Sequence, residues 1–338
     1  MNDRSRNLPL TLVVGGFLAL AIPATGLVVL GSMGAFVHAR SSGIGAMLVL
    51  VSIGVLLGVR FEWRALRRVG EIRRPTPAEV VVSTVSLMSG TIATLVVVIE
   101  LGLSPIVSAG VVGIVAAIVV PKRAVPAYCG AFVGMTSPEL FVTYWHALVA
   151  AGVASVVFVL GKPVFHGVGG KLGTTAFVGA TVIVATTAGE FHSEALPGDV
   201  TTALVVVVAI LGAMVTFSIH ARVVPSPVFA SGLVGVVGGI SSPIVFGDVG
   251  GLVAATVFAA SFAGMTDPKR IPNEGWILLS GAMVGVVVVY TMPYLGGSGG
   301  KLGTIAFGSC LAVYGLLGTL NLVRVKRRVR TIPRRDTT

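Results

Sequence analysis

The sequence is short of charge, of cysteine and of acid. Asp, Glu, Lys and Arg together supply 11% of its 338 residues, less than half of the roughly 25% found in soluble domains. With 54% hydrophobic residues and a mean hydropathy of +0.97, that shortage excludes an ordinary water-soluble domain. Cysteine occurs only at Cys129 and Cys310, both in apolar surroundings. Two isolated thiols exclude a disulfide scaffold. No Cys, His and carboxylate cluster with ligand spacing exists either, so neither a metal nor a cofactor is expected. The chain also lacks HExxH, GxSxG and DDxxD-like runs, and acids inside its apolar stretches are sparse. Both absences count against an enzyme acting on a lipid phosphate, which needs clustered carboxylates or a nucleophile with its base.

What is present is a series of long apolar runs, such as 43–59 and 275–295, each near the roughly 20 residues needed to cross about 30 Å of hydrocarbon. The expected fold class is an all-α polytopic membrane protein with about 12 (10–12) transmembrane helices. The N-terminal apolar run continues past Pro23 to about residue 37, too long for a cleaved signal, and is read as a retained first helix.

The net charge of +11 does not imply nucleic acid, because of where it lies. Six arginines fall in 60–74, and six arginines with one lysine in 324–335. Both segments flank apolar spans, where basic residues mark the cytoplasmic side and meet anionic lipid headgroups. The expected location is therefore the plasma membrane, multi-pass, with both termini cytoplasmic. The expected partners are the bilayer and a small-molecule or ion substrate, and a homo-oligomer is compatible with the sequence.

The chain also contains a duplication. Residues 134–177 align without gaps on 264–307: GMTSP on GMTDP, Pro163 on Pro293, Gly167 on Gly297, and GGKLGTTAF on GGKLGTIAF. Further upstream, SPIVSAGVVGIV (104–115) resembles SPVFASGLVGVV (226–237), with about eight extra residues near 241–248 in the second copy. The domain organisation expected is two N-terminal helices and a basic loop (1–77), a first repeat (78–190), a second repeat (200–320) and a basic tail (321–338).

Charge sets the orientation of the copies. The loop at 60–77 is basic. The loop at 189–200 carries Glu190, Glu194 and Asp199 with no Lys or Arg. One copy then crosses an odd number of times, and five crossings fit. The expectation is two inverted five-helix repeats after two N-terminal helices. The third span of each copy is short and proline-bearing, so broken or re-entrant helices are admitted there.

Two motifs carry the candidate chemistry. GGKLGT opens the last helix of each copy. Its glycines expose backbone N–H groups at the positive end of a helix dipole, the lysine adds a full charge and the threonine a hydroxyl. Gly170, Lys171, Gly173 and Thr174, with Gly300, Lys301, Gly303 and Thr304, are the candidate substrate-binding residues, suited to an anion or carboxylate. The structural reading has comparable weight: glycines permit close helix packing and lysines near helix ends reach for headgroups. The GMT[SD]P block stops a helix, because proline removes a donor and restricts the residue before it. Its Thr136, Ser137, Thr266 and Asp267 are weaker candidates for an ion or polar solute, beside the reading as a plain helix end. Glu100 and His146, ionisable groups within apolar runs, complete the weaker set.

The function expected is a transporter or channel for a small solute, weakly favouring an anion or carboxylate. Its arrangement resembles the architecture of urea transporters and of some sodium-coupled carriers, without a signature motif of either. A scaffolding subunit of a membrane complex and a membrane enzyme acting on a lipid phosphate are the alternatives.

Overall fold

The structure is a computed structural model that describes residues 7–38, 42–68, 70–141, 143–187 and 189–330. The last part of the basic tail, 331–338, and Arg4 and Arg6 lie outside the described residues. Among those residues there are twelve α-helices and no strand: α1 Leu10–His38, α2 Ser42–Leu66, α3 Pro77–Leu101, α4 Pro105–Val119, α5 Ala124–Gly134, α6 Tyr144–Gly161, α7 Lys171–Thr186, α8 Asp199–Arg222, α9 Pro227–Phe246, α10 Gly250–Gly264, α11 Glu274–Thr291 and α12 Lys301–Arg330.

Eight stretches are long and apolar enough to cross a bilayer: α1, α2, α3, α6, α8, the α9–α10 run, α11 and α12 to Leu322. This all-helical architecture with several long apolar spans marks a membrane protein. Three helices are too short to cross as expected, and two others run together. The third span of the first copy, where a broken or re-entrant helix is admitted, forms only the 11 residues of α5, about 16 Å at 1.5 Å per residue. The reason is local: the chain leaves the helix at Met135 and Thr136, and Pro138 keeps it from resuming. Helices α4 and α7 are apolar but short, with 15 and 16 residues. Helices α9 and α10 are joined by a 3-10 turn at Gly247–Val249, so that 227–264 reads as one 38-residue run.

Helix starts follow from their caps. Thr76 and Glu79 form a reciprocal capping box at α3, with Pro77 in the first turn. Ser104 caps α4 by accepting from Val107 N, and Ser226 caps α9 by accepting from Phe229 N, each at 3.3 Å and each followed by proline. Both SP dipeptides are thus proline-first helix starts.

Packing rests on small residues, as expected where lipid supplies no hydrophobic drive between helices. Gly90, Gly130 and Gly134 bring the backbones of α3 and α5 together, and Gly212 and Gly264 do the same for α8 and α10. Ten of the eleven residues of α5 are buried, so this short helix is covered by protein. On the other flank Gly54, Gly58 and Gly315 seat α2 on α12, and α1 packs on α2, α6 and α11.

Candidate functional site

The two GGKLGT motifs meet. A Cβ on Gly173 would lie 2.5 Å from Gly303 Cα, and one on Gly303 would lie 2.6 Å from Gly173 Cα. Likewise a Cβ on Gly170 would strike Gly303 O, and one on Gly300 would strike Gly173 O. Only glycine allows the first turns of α7 and α12 to cross this closely. Gly170 and Gly300 also hold φ of +81° and +83°, a left-handed conformation that L side chains rarely adopt.

The GMT[SD]P blocks lock this crossing from both sides. Thr136 Oγ1 accepts from Gly299 N, and Thr266 Oγ1 accepts from Gly169 N, both at 3.1 Å. Each hydroxyl donates in turn to the carbonyl three residues back, Val133 O at 2.8 Å and Ala263 O at 2.7 Å. Ser137 N donates to Gly297 O and Asp267 N to Gly167 O, both at 2.9 Å. Adding 130 to one residue of each pair and subtracting it from the other turns every contact into its counterpart.

The lysines have a parallel arrangement. Lys171 Nζ donates to Gly161 O at 2.7 Å and Val164 O at 2.5 Å. Lys301 Nζ donates to Thr291 O at 2.8 Å, and Thr291 is the counterpart of Gly161. Each ammonium therefore sits where the preceding helix ends: Gly161 O and Thr291 O are the final carbonyls of α6 and α11, and Val164 O lies in the loop just beyond α6. Thr174 and Thr304 are buried and bond back to Gly170 O and Gly300 O. The motif's lysine and threonine thus serve main-chain groups in both copies.

From the crossing the two helices run to opposite ends of the bundle. Beyond α7 the chain reaches His192, which exchanges backbone bonds with Gly296 and pairs with Glu139 at 2.9 Å. Helix α12 instead reaches Tyr314, whose ring faces the Arg270 guanidinium at 5.3 Å. At that end Arg270 pairs with the buried Glu62 carboxylate and donates through Nε to His166 O at 2.7 Å, while Phe165 N donates to Glu62 at 3.3 Å. This Glu62–Arg270 knot ties α2 to the loops after α6 and α10.

A cavity of 680 Å³ opens beside the crossing at the Arg270 end. Gly169, Gly170, Lys171 and Gly173 line its depth, as do Phe132, Phe262 and Asp267. Phe132 and Phe262 are counterparts in the two copies and touch, with ring centroids 4.8 Å apart. Tyr128 and Phe258, also counterparts, pack against them. A buried hydrogen-bond chain, Tyr128 to Ser231 at 3.0 Å and Ser231 to Ser261 at 2.8 Å, runs alongside. It has no equivalent in the other copy, where Phe258, Ala109 and Ala131 stand.

Of the sequence candidates, the structure brings together both glycine motifs with Thr136, Ser137, Thr266 and Asp267. It leaves out two. Glu100 is exposed at the end of α3, and His146 lies in the first turn of α6, bonded to Thr143 Oγ1 at 3.3 Å, a helix length from Lys171's contact at Gly161. Of the second glycine motif, no residue lines the cavity.

No family model, no curated protein and no solved structure matches this chain.

Proposed function

We propose that this chain is a membrane transporter or channel for a small solute, built on two inverted five-helix repeats that follow two N-terminal helices. The observation that carries the reading is the reciprocal exchange at the crossing. Contacts that interchange under a shift of 130 residues are those of a two-fold axis. Opposite courses of α7 and α12 support an axis across the helices, the symmetry of an inverted repeat. Helices α5, α7 and α10 begin or end inside the protein near that axis. Interrupted helices of this kind are tolerated in membranes where protein or a water-filled cavity shields them.

The basic end, with Lys122, Arg123, Lys162, Arg222 and Lys269, is read as cytoplasmic by the excess of positive charge on that side of membranes. The opposite end carries Glu139, Glu190 and Glu194. Both termini are then cytoplasmic and the chain is multi-pass in the plasma membrane. On this assignment the 680 Å³ cavity opens inward and the Phe132–Phe262 contact closes its outer side. Transport by the mirror-related arrangement would open the other side at Gly300 and Lys301. Catalysis is not part of this proposal.

A scaffolding role draws on one specific observation, that both motif lysines are engaged by main-chain carbonyls. Flux decides between the two. Purified protein in proteoliposomes should carry one or more of urea, glycerol, formate and benzoate faster than empty vesicles, read by stopped-flow light scattering. In a variant lacking Cys129 and Cys310, modification of Ser83→Cys, which lines the cavity, with a bulky thiol reagent should block that flux. No flux above empty vesicles with any of the four would leave the scaffold as the better account.

A further inference from the structure

The cavity's lining is divided by chemistry. Its rim carries Lys122 and Arg123, from the 3-10 turn between α4 and α5, and Lys162, just beyond α6. Lys171 adds a fourth cation at depth. Asp267 is the one carboxylate in the lining, and its Oδ1 already accepts from Lys269 N at 2.8 Å. The nearby Glu62 carboxylate is committed to Arg270. Lys171 Nζ is held by Gly161 O and Val164 O and Lys162 also interacts with Glu79, yet positive residues still outnumber the one acid in the lining, around a space with walls of low dielectric, an arrangement that concentrates anions. The exposed Lys122, Arg123 and Lys162 come from different segments of the chain and line one concave space. His220 Nε2, at the same cavity, is buried without a hydrogen-bond partner.

The floor is apolar. Phe132 and Phe262 close the deep end, with Phe158, Met265 and Val228 on the walls. The cavity at the other end of the bundle differs on both counts: it is lined by Glu194 and Asp199, with no Lys or Arg, and does not reach the glycine crossing.

We propose that the basic cavity binds a small organic monoanion, with its apolar body on the Phe132 and Phe262 rings and its carboxylate toward Lys122, Arg123 and Lys162. A volume of 680 Å³ falls within the range of small-molecule sites, which pair apolar walls with a few polar groups. The proposal rests on the transporter reading for its purpose, and its test separates the two.

The experiment is isothermal titration of the full chain in neutral detergent with benzoate, with benzamide as its uncharged isostere, and with inorganic phosphate. Benzoate should bind, and benzamide should bind about tenfold more weakly or worse. The variant K122Q/R123Q/K162Q should lose about tenfold or more in benzoate affinity and keep its thermal unfolding midpoint. Equal binding of benzoate and benzamide overturns the proposal, as does an unchanged benzoate affinity in that variant, or no binding at all. Tighter binding of phosphate than of benzoate, or loss of benzoate binding in nanodiscs containing phosphatidylglycerol but not in phosphatidylcholine alone, assigns the cavity to phosphate or lipid headgroups and overturns it too. Benzoate binding without flux of benzoate, urea, glycerol or formate in proteoliposomes would retire the transporter reading and keep the site. Flux of urea without benzoate binding would do the reverse.

Discussion

Single residues show why the repeated motifs have kept their letters. Thr136 and Thr266 are each the acceptor for a buried glycine N–H of the other copy. Thr136→Val and Thr266→Val should each cost about 1–3 kcal/mol, the usual penalty for stranding a buried donor, while Thr→Ser at either position should retain most of the stability. Reversible unfolding in mixed detergent and SDS micelles measures both, and a large loss at one site with none at the other would contradict the reciprocal contact. Glu62 and Arg270 form a different kind of pair, with the carboxylate side chain 6% exposed. Glu62→Leu or Arg270→Met alone should cost about 3–5 kcal/mol, because the partner charge is left buried. The double variant should recover much of that loss, as a double-mutant cycle would show. Glu62 is not among the sequence candidates, although a signal for it exists: it follows Leu48, Val51 and Val55 at helical spacing, and all three are buried. Its place within a run of arginines obscures that face. Arg270 as its partner was not legible, since only folding joins residues 208 positions apart.

At the scale of helices, glycine has two roles that sequence alone does not separate. Gly173 and Gly303 lie backbone to backbone where α7 and α12 cross. Gly173→Ala should force the helices apart and cost about 1–3 kcal/mol, as overpacking does. Gly26, within α1, has nothing within 4 Å of its would-be Cβ, and Gly26→Ala should be neutral or stabilising by up to about 1 kcal/mol through helix propensity. Thermal unfolding of the two variants in one detergent checks the contrast. The existence and type of nearly every helix could be read from apolar runs, proline positions and Ser-Pro or Thr-Pro starts. The stop of α5 at GMTSP was legible as well; that Thr136 there serves Gly299 of the other copy was not, because apolar periodicity carries no information about that contact. The lysines were read as ligand donors from charge and glycine context. Their main-chain partners are the final residues of the preceding helices, Gly161 and Thr291, and Val164 in the loop after α6, and periodicity does not say which side chain turns back to a helix end.

Across the whole molecule, the account depends on the two copies having opposite orientation. Glu139 and Lys269 are counterparts 130 residues apart, both exposed, one at the His192 end and the other at the Arg270 end. The most direct test places a single cysteine at Glu139 or at Lys269 in a chain whose buried Cys129 and Cys310 are replaced by alanine, and labels intact cells with a membrane-impermeant thiol reagent. Inverted repeats predict labelling at 139 in intact cells and at 269 only after permeabilisation. Labelling of both positions from the same side would mean parallel copies and would contradict the account.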